Sequence, residues 1–143
     1  MSKYYTHKIA LRWTDFDQFG HVNNAIYLTY FEDARFYFLR DIVKWEFKET
    51  SIVIANAKID FLNPIFDYCK PKVHVGCSRV GNKSFELTYK ITDDFNPDHH
   101  FASGSTVAVT YDPEAETTIS IPSKYKSILE NFLDGDKIKN PVA

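Results

Sequence analysis

Residues 15–41 read DFDQFGHVNNAIYLTYFEDARFYFLRD, a polar loop followed directly by a long apolar segment. From Ala25 to Asp41 there is neither glycine nor proline, and aromatic or aliphatic residues recur every three or four positions. This spacing predicts an amphipathic helix over about residues 25–41. The helix would be roughly 25 Å long. Because more than half of its circumference is apolar, we expect a sheet to cover it.

Alternating apolar and polar residues elsewhere in the chain predict the half-buried strands of that sheet. The buried faces are expected to hold His7, Ile9, Leu11 and Trp13 in the first strand and Val53, Ala55, Ala57, Ile59 and Phe61 in the second. The run from Val80 to Lys83 predicts a hairpin turn, and Pro122 opens a second helix over about residues 123–133. One strand, one long helix and then consecutive strands is an α+β order. We therefore expect a single domain over residues 1–143, an antiparallel sheet of about five or six strands around the central helix, and a polar tail at 134–143. The expected strands cover about residues 7–13, 53–61, 72–77, 85–91, 101–111 and 117–121.

Composition and charge exclude several kinds of partner. The 143 residues carry a formal net charge of -2, and the pI is near 6.2, so the chain has no general attraction for nucleic acid or an anionic membrane. No segment approaches the roughly 20 apolar residues of a membrane span, and the N-terminus lacks the apolar segment of a signal peptide. We expect a cytoplasmic protein without nucleic-acid or membrane partners.

Metal binding is not expected from the sequence. The two cysteines are too few for a disulfide framework and lack the paired spacing of a zinc site, so Cys77 is expected to be a buried free thiol. Asp15 and Asp17 begin like a calcium loop. Phe19 and Ile26, however, occupy positions at which such a loop needs oxygen ligands.

The loop before the central helix collects residue types that can carry out chemistry on a carbonyl group. Asp17 and His21 can transfer protons or attack a carbonyl carbon. Gly20 permits backbone angles and a close ligand approach that a side chain would hinder. The helix start, which Asn23 or Asn24 is suited to cap, presents N–H groups and partial positive charge that can hold a developing oxyanion. A carboxylate, an imidazole and oxyanion donors are thus expected to converge here.

The run from Leu11 to Leu39 resembles the acyl-CoA thioesterases of the hotdog superfamily, in particular the 4-hydroxybenzoyl-CoA thioesterase-like group and the related acyl-ACP thioesterases. The matching pattern is D-x-D-x-x-G-H-V-N-N-x-x-Y, followed by an aromatic helix with an E-x-x-R element. The resemblance implies a hotdog fold and hydrolysis of an acyl- or aryl-CoA thioester to the free acid and CoA, without metal or other cofactor. It also implies a homodimer or homotetramer whose sites lie between subunits.

The resemblance also assigns roles to residues of the loop. Asp17 is the expected catalytic carboxylate, acting on the thioester carbonyl directly or as a general base toward water. His21 matches a catalytic histidine of the acyl-ACP branch, although Phe19 stands where that branch has an asparagine; it either transfers protons or orients the substrate. Asn24 falls where a backbone N–H is expected to donate to the thioester oxygen, and where another branch has a histidine. Substrate contacts are also expected from Gly20, Val22 and Asn23.

Coenzyme A would bring phosphates that need positively charged or polar partners. Arg79, Lys83 and Ser84 flank the predicted hairpin turn, a region that related enzymes use for the nucleotide. Lys70 and Lys72 are alternatives.

Three further side chains are expected to be structural. Glu32 and Arg35 have the i,i+3 spacing of a helical ion pair, although another hotdog subclass takes its catalytic carboxylate from this helix. Asp15 is expected to brace the loop through backbone hydrogen bonds.

Two other functions stay open on the sequence. One is a hotdog module that binds acyl-CoA without hydrolysing it, and the other is a thioesterase acting on acyl carrier protein. The sequence does not specify the acyl group.

Overall fold

The computed structural model describes residues 3–133. The strands among these residues are β1 (Tyr5–Lys8), β2 (Ser51–Phe61), β3 (Pro71–Val80), β4 (Ser84–Asp93), β5 (His100–Asp112) and β6 (Thr117–Thr118). They form one antiparallel sheet in the order β1-β3-β4-β5-β2, and β6 pairs with the end of β5. This confirms the predicted α+β order and the number of strands.

The central helix lies where the sequence predicts it, but its last part is not α-helical. Helix α1 spans Ile26–Tyr37 and continues as a π-helical segment, Phe38–Val43. The wider π turn allows Phe38, Leu39 and Val43 all to be buried. Lys44, in the left-handed region at φ +62°, then ends the helix.

Helix α1 packs against one face of the sheet through large aromatic rings. The ring of Phe31 stacks on that of Tyr89 in β4 at a centroid distance of 4.4 Å. Gly104 in β5 makes room for this contact, since a Cβ there would lie 2.7 Å from the Phe31 ring and would clash with the Lys58 carbonyl oxygen. The buried face of the helix therefore fixes its position over β4 and β5.

The first strand is shorter than predicted. β1 ends at Lys8, and a short 3-10 turn at Trp13–Asp15 replaces the predicted strand end. The cause is local, since the Asp15 carboxylate accepts hydrogen bonds from both the backbone and the side chain of Arg12 and bends the chain. Trp13, predicted to face the core, is 91% exposed.

The buried face predicted for β2 is also wrong. Val53 and Phe61 are about half exposed, because β2 lies at the edge of the sheet and pairs within residues 3–133 with β5 alone. A register shift between Ile54 and Asn56 further breaks the alternation.

At the C-terminal end, helix α2 spans Ser123–Glu130, ending earlier than the predicted 133. Residues 131–133 turn back so that Leu133 bridges to Cys77, a buried free thiol as predicted. The predicted tail at 134–143 lies outside the described residues. No helix among residues 3–133 is long and apolar enough to cross a membrane.

Candidate active site

The loop before α1 closes on itself and brings Asp17 and His21 together. The Asp17 N–H donates to the His21 carbonyl oxygen at 3.0 Å, and the Gly20 N–H donates to the Asp17 carbonyl oxygen at 3.1 Å. Gly20 has φ +86°, a left-handed conformation that glycine adopts without steric cost. Together these features form a tight hairpin loop with a left-handed residue at its end. The loop thus fixes the separation of the two side chains.

The Asp17 carboxylate has one oxygen committed to the loop and one oxygen facing the imidazole. Its Oδ1 accepts a hydrogen bond from the Phe19 N–H at 2.9 Å. Its Oδ2 lies 3.5 Å from His21 Nδ1, and the two side chains are 22% and 35% exposed, respectively. The carboxylate is therefore oriented yet accessible, as a nucleophile or general base must be.

The approach to α1 leaves one N–H group available. Val22 is buried and donates its N–H to the Ile65 carbonyl oxygen at 2.9 Å. Asn23 Oδ1 accepts from the Ala25 N–H at 3.0 Å, but the N-cap position of α1 is Ala25, so the predicted side-chain cap by Asn23 or Asn24 is not formed there. Within residues 3–133 the Asn24 N–H has no hydrogen-bond acceptor. An N–H at this end of a helix can stabilise an anionic oxygen.

Asp15 is completely buried beneath the loop. It accepts hydrogen bonds from the Arg12 N–H and Nε–H, each at 3.1 Å, and from the Tyr30 hydroxyl at 2.7 Å. The pKa of Tyr30 is raised well above its usual value, mainly by burial and also by the neighbouring Asp15 carboxylate. The phenol therefore remains protonated and acts as a hydrogen-bond donor. The predicted bracing role of Asp15 is confirmed, but it is carried mainly by side chains that sequence reasoning missed.

An open cleft of about 800 Å³ lies beside the loop, with Asp17 and Gly20 on its wall. Its other sides include Leu11, Arg12, Trp13 and Asp67, none of which sequence reasoning assigned to the site. Leu11, Arg12 and Trp13 lie just before the loop but were expected in a strand, and Asp67 becomes their neighbour only when the chain between β2 and β3 folds back.

A second groove of about 310 Å³ runs between α1 and β2 and contains Glu32 and Arg35. The predicted ion pair between them is not formed. Arg35 Nη1 instead donates to the Tyr89 hydroxyl at 3.2 Å, and that hydroxyl lies 2.6 Å from Thr106 Oγ1. A buried phenol oxygen competes successfully with an exposed carboxylate because a pair on a helix surface stabilises by only a few tenths of a kcal/mol.

The predicted nucleotide contacts are not next to Asp17 in the same chain. His21 bridges to Phe66, which places the loop at the end of the sheet where β3 begins, whereas the hairpin lies where β3 ends. The strand between them spans about 30 Å. At the hairpin, Arg79 Nη2 donates to Ser84 Oγ at 3.2 Å, and the Lys83 carbonyl oxygen accepts from the Thr110 N–H.

The alternative lysines lie at the same end of the sheet as Asp17. Lys72 Nζ is 3.1 Å from Asp94 Oδ1, and the Lys70 carbonyl oxygen accepts from the Asp94 N–H at 2.8 Å. The Lys72 ammonium also holds the pKa of Asp94 below its ordinary value. The charge of Lys72 is thus already partly compensated within the chain. In the part of the chain that the structure describes, no group of three or more His, Cys, Asp or Glu side chains could hold a metal ion.

Comparison with known proteins agrees with this arrangement. A family model described as the thioesterase-like superfamily matches residues 11–132, which include the loop, α1 and the whole sheet apart from β1. The chain belongs to the thioesterase-like superfamily. It is also 30% identical over 123 residues to the uncharacterized protein YsmA of Bacillus subtilis, a match that covers 85% of this chain and 82% of YsmA.

Several solved structures share the fold. The PA5185 protein of Pseudomonas aeruginosa superposes with a TM-score of 0.85 at 21% identity, covering 92% of both chains. A predicted thioesterase from Bacillus stearothermophilus gives 0.82 at 23% identity, covering 92% of this chain and 98% of its own. A 1,4-dihydroxy-2-naphthoyl-CoA thioesterase from Synechocystis gives 0.80 at 16% identity, covering 90% and 97%. The fold is the predicted hotdog fold, and the family confirms the predicted class, a thioester hydrolase.

Proposed function

We propose that this thioesterase-family chain hydrolyses an acyl-CoA thioester to the free acid and CoA. The observation that carries the proposal is the oriented and accessible Asp17 carboxylate, which lies on the wall of the cleft and 3.5 Å from His21 Nδ1. The Asn24 N–H, which has no acceptor within residues 3–133, is the oxyanion donor that we assign to it. The carboxylate either attacks the carbonyl carbon, giving an anhydride that water then cleaves, or takes a proton from the attacking water. In both routes the C–S bond breaks, the thiolate of CoA leaves and takes up a proton, and the Asn24 N–H stabilises the oxyanion.

His21 acts beside Asp17 in this proposal. Its Nδ1 is 3.5 Å from the Asp17 carboxylate and 3.4 Å from the Val22 carbonyl oxygen, so the ring is held between two acceptors. From there it orients the carboxylate or passes a proton to the leaving thiolate. Gly20, on the wall of the cleft, supplies backbone that the substrate can approach closely. Val22 is buried and anchors the loop through its N–H to the Ile65 carbonyl oxygen, and Asn23 accepts the N–H groups of Ala25 and Ile26 just before and at the start of α1.

CoA, rather than acyl carrier protein, is supported by one structural relative, the Synechocystis enzyme named for its action on 1,4-dihydroxy-2-naphthoyl-CoA. We place the reaction in the cytoplasm, since the free thiols of Cys69 and Cys77 fit a reducing compartment.

We further propose that the working unit is a homodimer or a tetramer of such dimers. One edge of β2 is unpaired within residues 3–133, and this supports the proposal because a long exposed edge strand is a template for pairing with another chain. A two-fold axis perpendicular to the sheet would keep both helices on one face and make the two β2 strands antiparallel. The hairpin with Arg79, Lys83 and Ser84 would then lie toward the Asp17 end of the partner.

The first test is thiol release from a panel of short, long and aromatic acyl-CoA esters. We expect Asp17→Asn to lower kcat by about 1000-fold or more on any ester that the wild type hydrolyses. The amide oxygen still accepts the Phe19 N–H, so the loop should keep its shape. Asp33→Asn, which neutralises an exposed carboxylate on α1 outside the cleft, is the matched control.

Equal activity of Asp17→Asn and the control would show that Asp17 is not the catalytic group. If the wild type releases no thiol from any ester but binds CoA in calorimetry, the chain is a binding module and the proposed hydrolysis is wrong.

A further inference from the structure

Asp15 is a fully buried carboxylate that takes no part in the proposed chemistry. Its charge is compensated by Arg12, whose Nη2 lies 3.0 Å from Asp15 Oδ1 although the Arg12 side chain is 63% exposed. Its other strong contact is the 2.7 Å hydrogen bond from the Tyr30 hydroxyl. Tyr30 itself is only 3% exposed, so this bond is shielded from water. A short hydrogen bond to a charged group in a dry environment is strong and directional.

The backbone of the same residue holds the chain that leads into α1. The Asp15 carbonyl oxygen accepts the Asn23 N–H at 2.9 Å, and the Asn23 carbonyl oxygen accepts the Ile26 N–H at 2.9 Å. Both sides of residue 23 are therefore fixed. The Asn24 N–H belongs to the peptide group that carries the Asn23 carbonyl, so its direction is fixed as well.

Asp15 thus links three parts of the molecule. Arg12 belongs to the segment after β1, Tyr30 lies on α1, and Asn23 lies between the hairpin loop and the helix. Without the Tyr30 hydrogen bond, Asp15 would remain attached to the segment that carries it but would lose its side-chain connection to α1. The position of residue 23 relative to the helix would then be less well determined.

We propose that Asp15 and Tyr30 are positioning residues that set the direction of the Asn24 N–H, and hence kcat, without touching the substrate. The inference rests on the proposed function, in which that N–H binds the oxyanion. An oxyanion donor is effective only when it is preorganised, and a displacement of about 1 Å can reduce the rate by about 100-fold.

The test compares two buried tyrosines that each make one hydrogen bond through the hydroxyl. Tyr30→Phe removes the bond to Asp15 and keeps the ring. Tyr125→Phe removes the bond that the Tyr125 hydroxyl accepts from the Glu46 N–H at 2.9 Å, at a distant position in α2. Both variants should lose similar stability and remain folded. We expect Tyr30→Phe to lower kcat by about 10-fold to 100-fold with KM within about two-fold of the wild type, and Tyr125→Phe to keep the wild-type kcat.

A second readout does not depend on turnover. Hydrogen exchange of the Asn23 amide, measured by NMR, should be faster in Tyr30→Phe than in either the wild type or Tyr125→Phe. If the wild type hydrolyses a thioester and the two variants have the same kcat, the positioning role is wrong while the proposed function stands. If no thioester is hydrolysed, the proposed function fails. If, in addition, the Asn23 amide exchanges at the same rate in Tyr30→Phe as in the wild type, the claim that Asp15 and Tyr30 hold the chain at Asn23 is wrong as well.

Discussion

Gly20 holds the hairpin loop in a backbone conformation that other residues adopt at a cost. Its φ is +86°, and no atom lies within 4 Å of the place that a Cβ would occupy. The penalty of a side chain there is therefore conformational and not steric, about 1–2 kcal/mol for a left-handed alanine. We expect Gly20→Ala to lower the free energy of unfolding by about that amount in urea titrations.

Gly20→Asn provides the control for this prediction, because asparagine tolerates the left-handed region better than alanine does. It should be destabilised less than Gly20→Ala and should keep more activity. Equal stability of the alanine variant and the wild type would mean that the loop does not need its positive φ.

Single residues of the site were predictable from the sequence only where they lie close together along the chain. Asp17 and His21 are four positions apart in one loop, so local spacing was enough to place them together. Tyr30 lies fifteen positions from Asp15, and its hydrogen bond depends on which face of α1 is buried. For Arg35, local spacing gave the wrong partner. The sequence predicts an ion pair with Glu32, three positions away, whereas the folded sheet brings the Tyr89 hydroxyl within hydrogen-bond distance instead.

The contact between α1 and β5 depends on the absence of a side chain at Gly104. An added Cβ would meet the Lys58 backbone carbonyl and the Phe31 ring, neither of which can move without shifting a strand or the helix. We expect Gly104→Ala to destabilise the fold by about 1–3 kcal/mol, as overpacking of a core does.

Gly76→Ala is the comparison for Gly104→Ala. Its nearest neighbours are side-chain atoms of Tyr4 and Thr88, at 2.9 and 3.0 Å, which can rotate away more easily than backbone. In thermal unfolding, the Tm of Gly104→Ala should therefore be lower than the Tm of Gly76→Ala. The reverse order would contradict the close packing of α1 on β5.

Among the elements, those with strong periodicity and local turn signals were predicted well. Helix α1, the β3–β4 hairpin and β5 all lie where the pattern placed them. β1 ended early because the Arg12–Asp15 interaction, a side-chain effect, overrode the alternation. The face of β2 was misassigned because alternation within a strand does not reveal whether that strand lies at the centre or the edge of a sheet.

For the molecule as a whole, part of the exposed apolar surface lies along the edge at which the proposed dimer would pair. Val53 and Ile54 on β2 and Leu28 on α1 are between 37% and 49% exposed and flank the same groove or edge. Across a two-fold axis, the Asp17 end of one sheet would face the hairpin end of the other. Asp17 and Lys83 lie roughly 30 Å apart within one chain. Across the two-fold axis, however, Asp17 of one protomer and Lys83 of its partner could belong to the same site.

Mixed dimers test this arrangement. If each site combines Asp17 of one protomer with Lys83 of the other, a dimer of one Asp17→Asn chain and one Lys83→Ala chain contains one doubly defective site and one intact site. Such heterodimers, purified through two different tags, should show about half the wild-type kcat with a wild-type KM for acyl-CoA, while the Lys83→Ala homodimer shows a raised KM because a phosphate contact is lost. Sites contained within single chains would leave no intact site in the heterodimer, and its KM would equal that of Lys83→Ala.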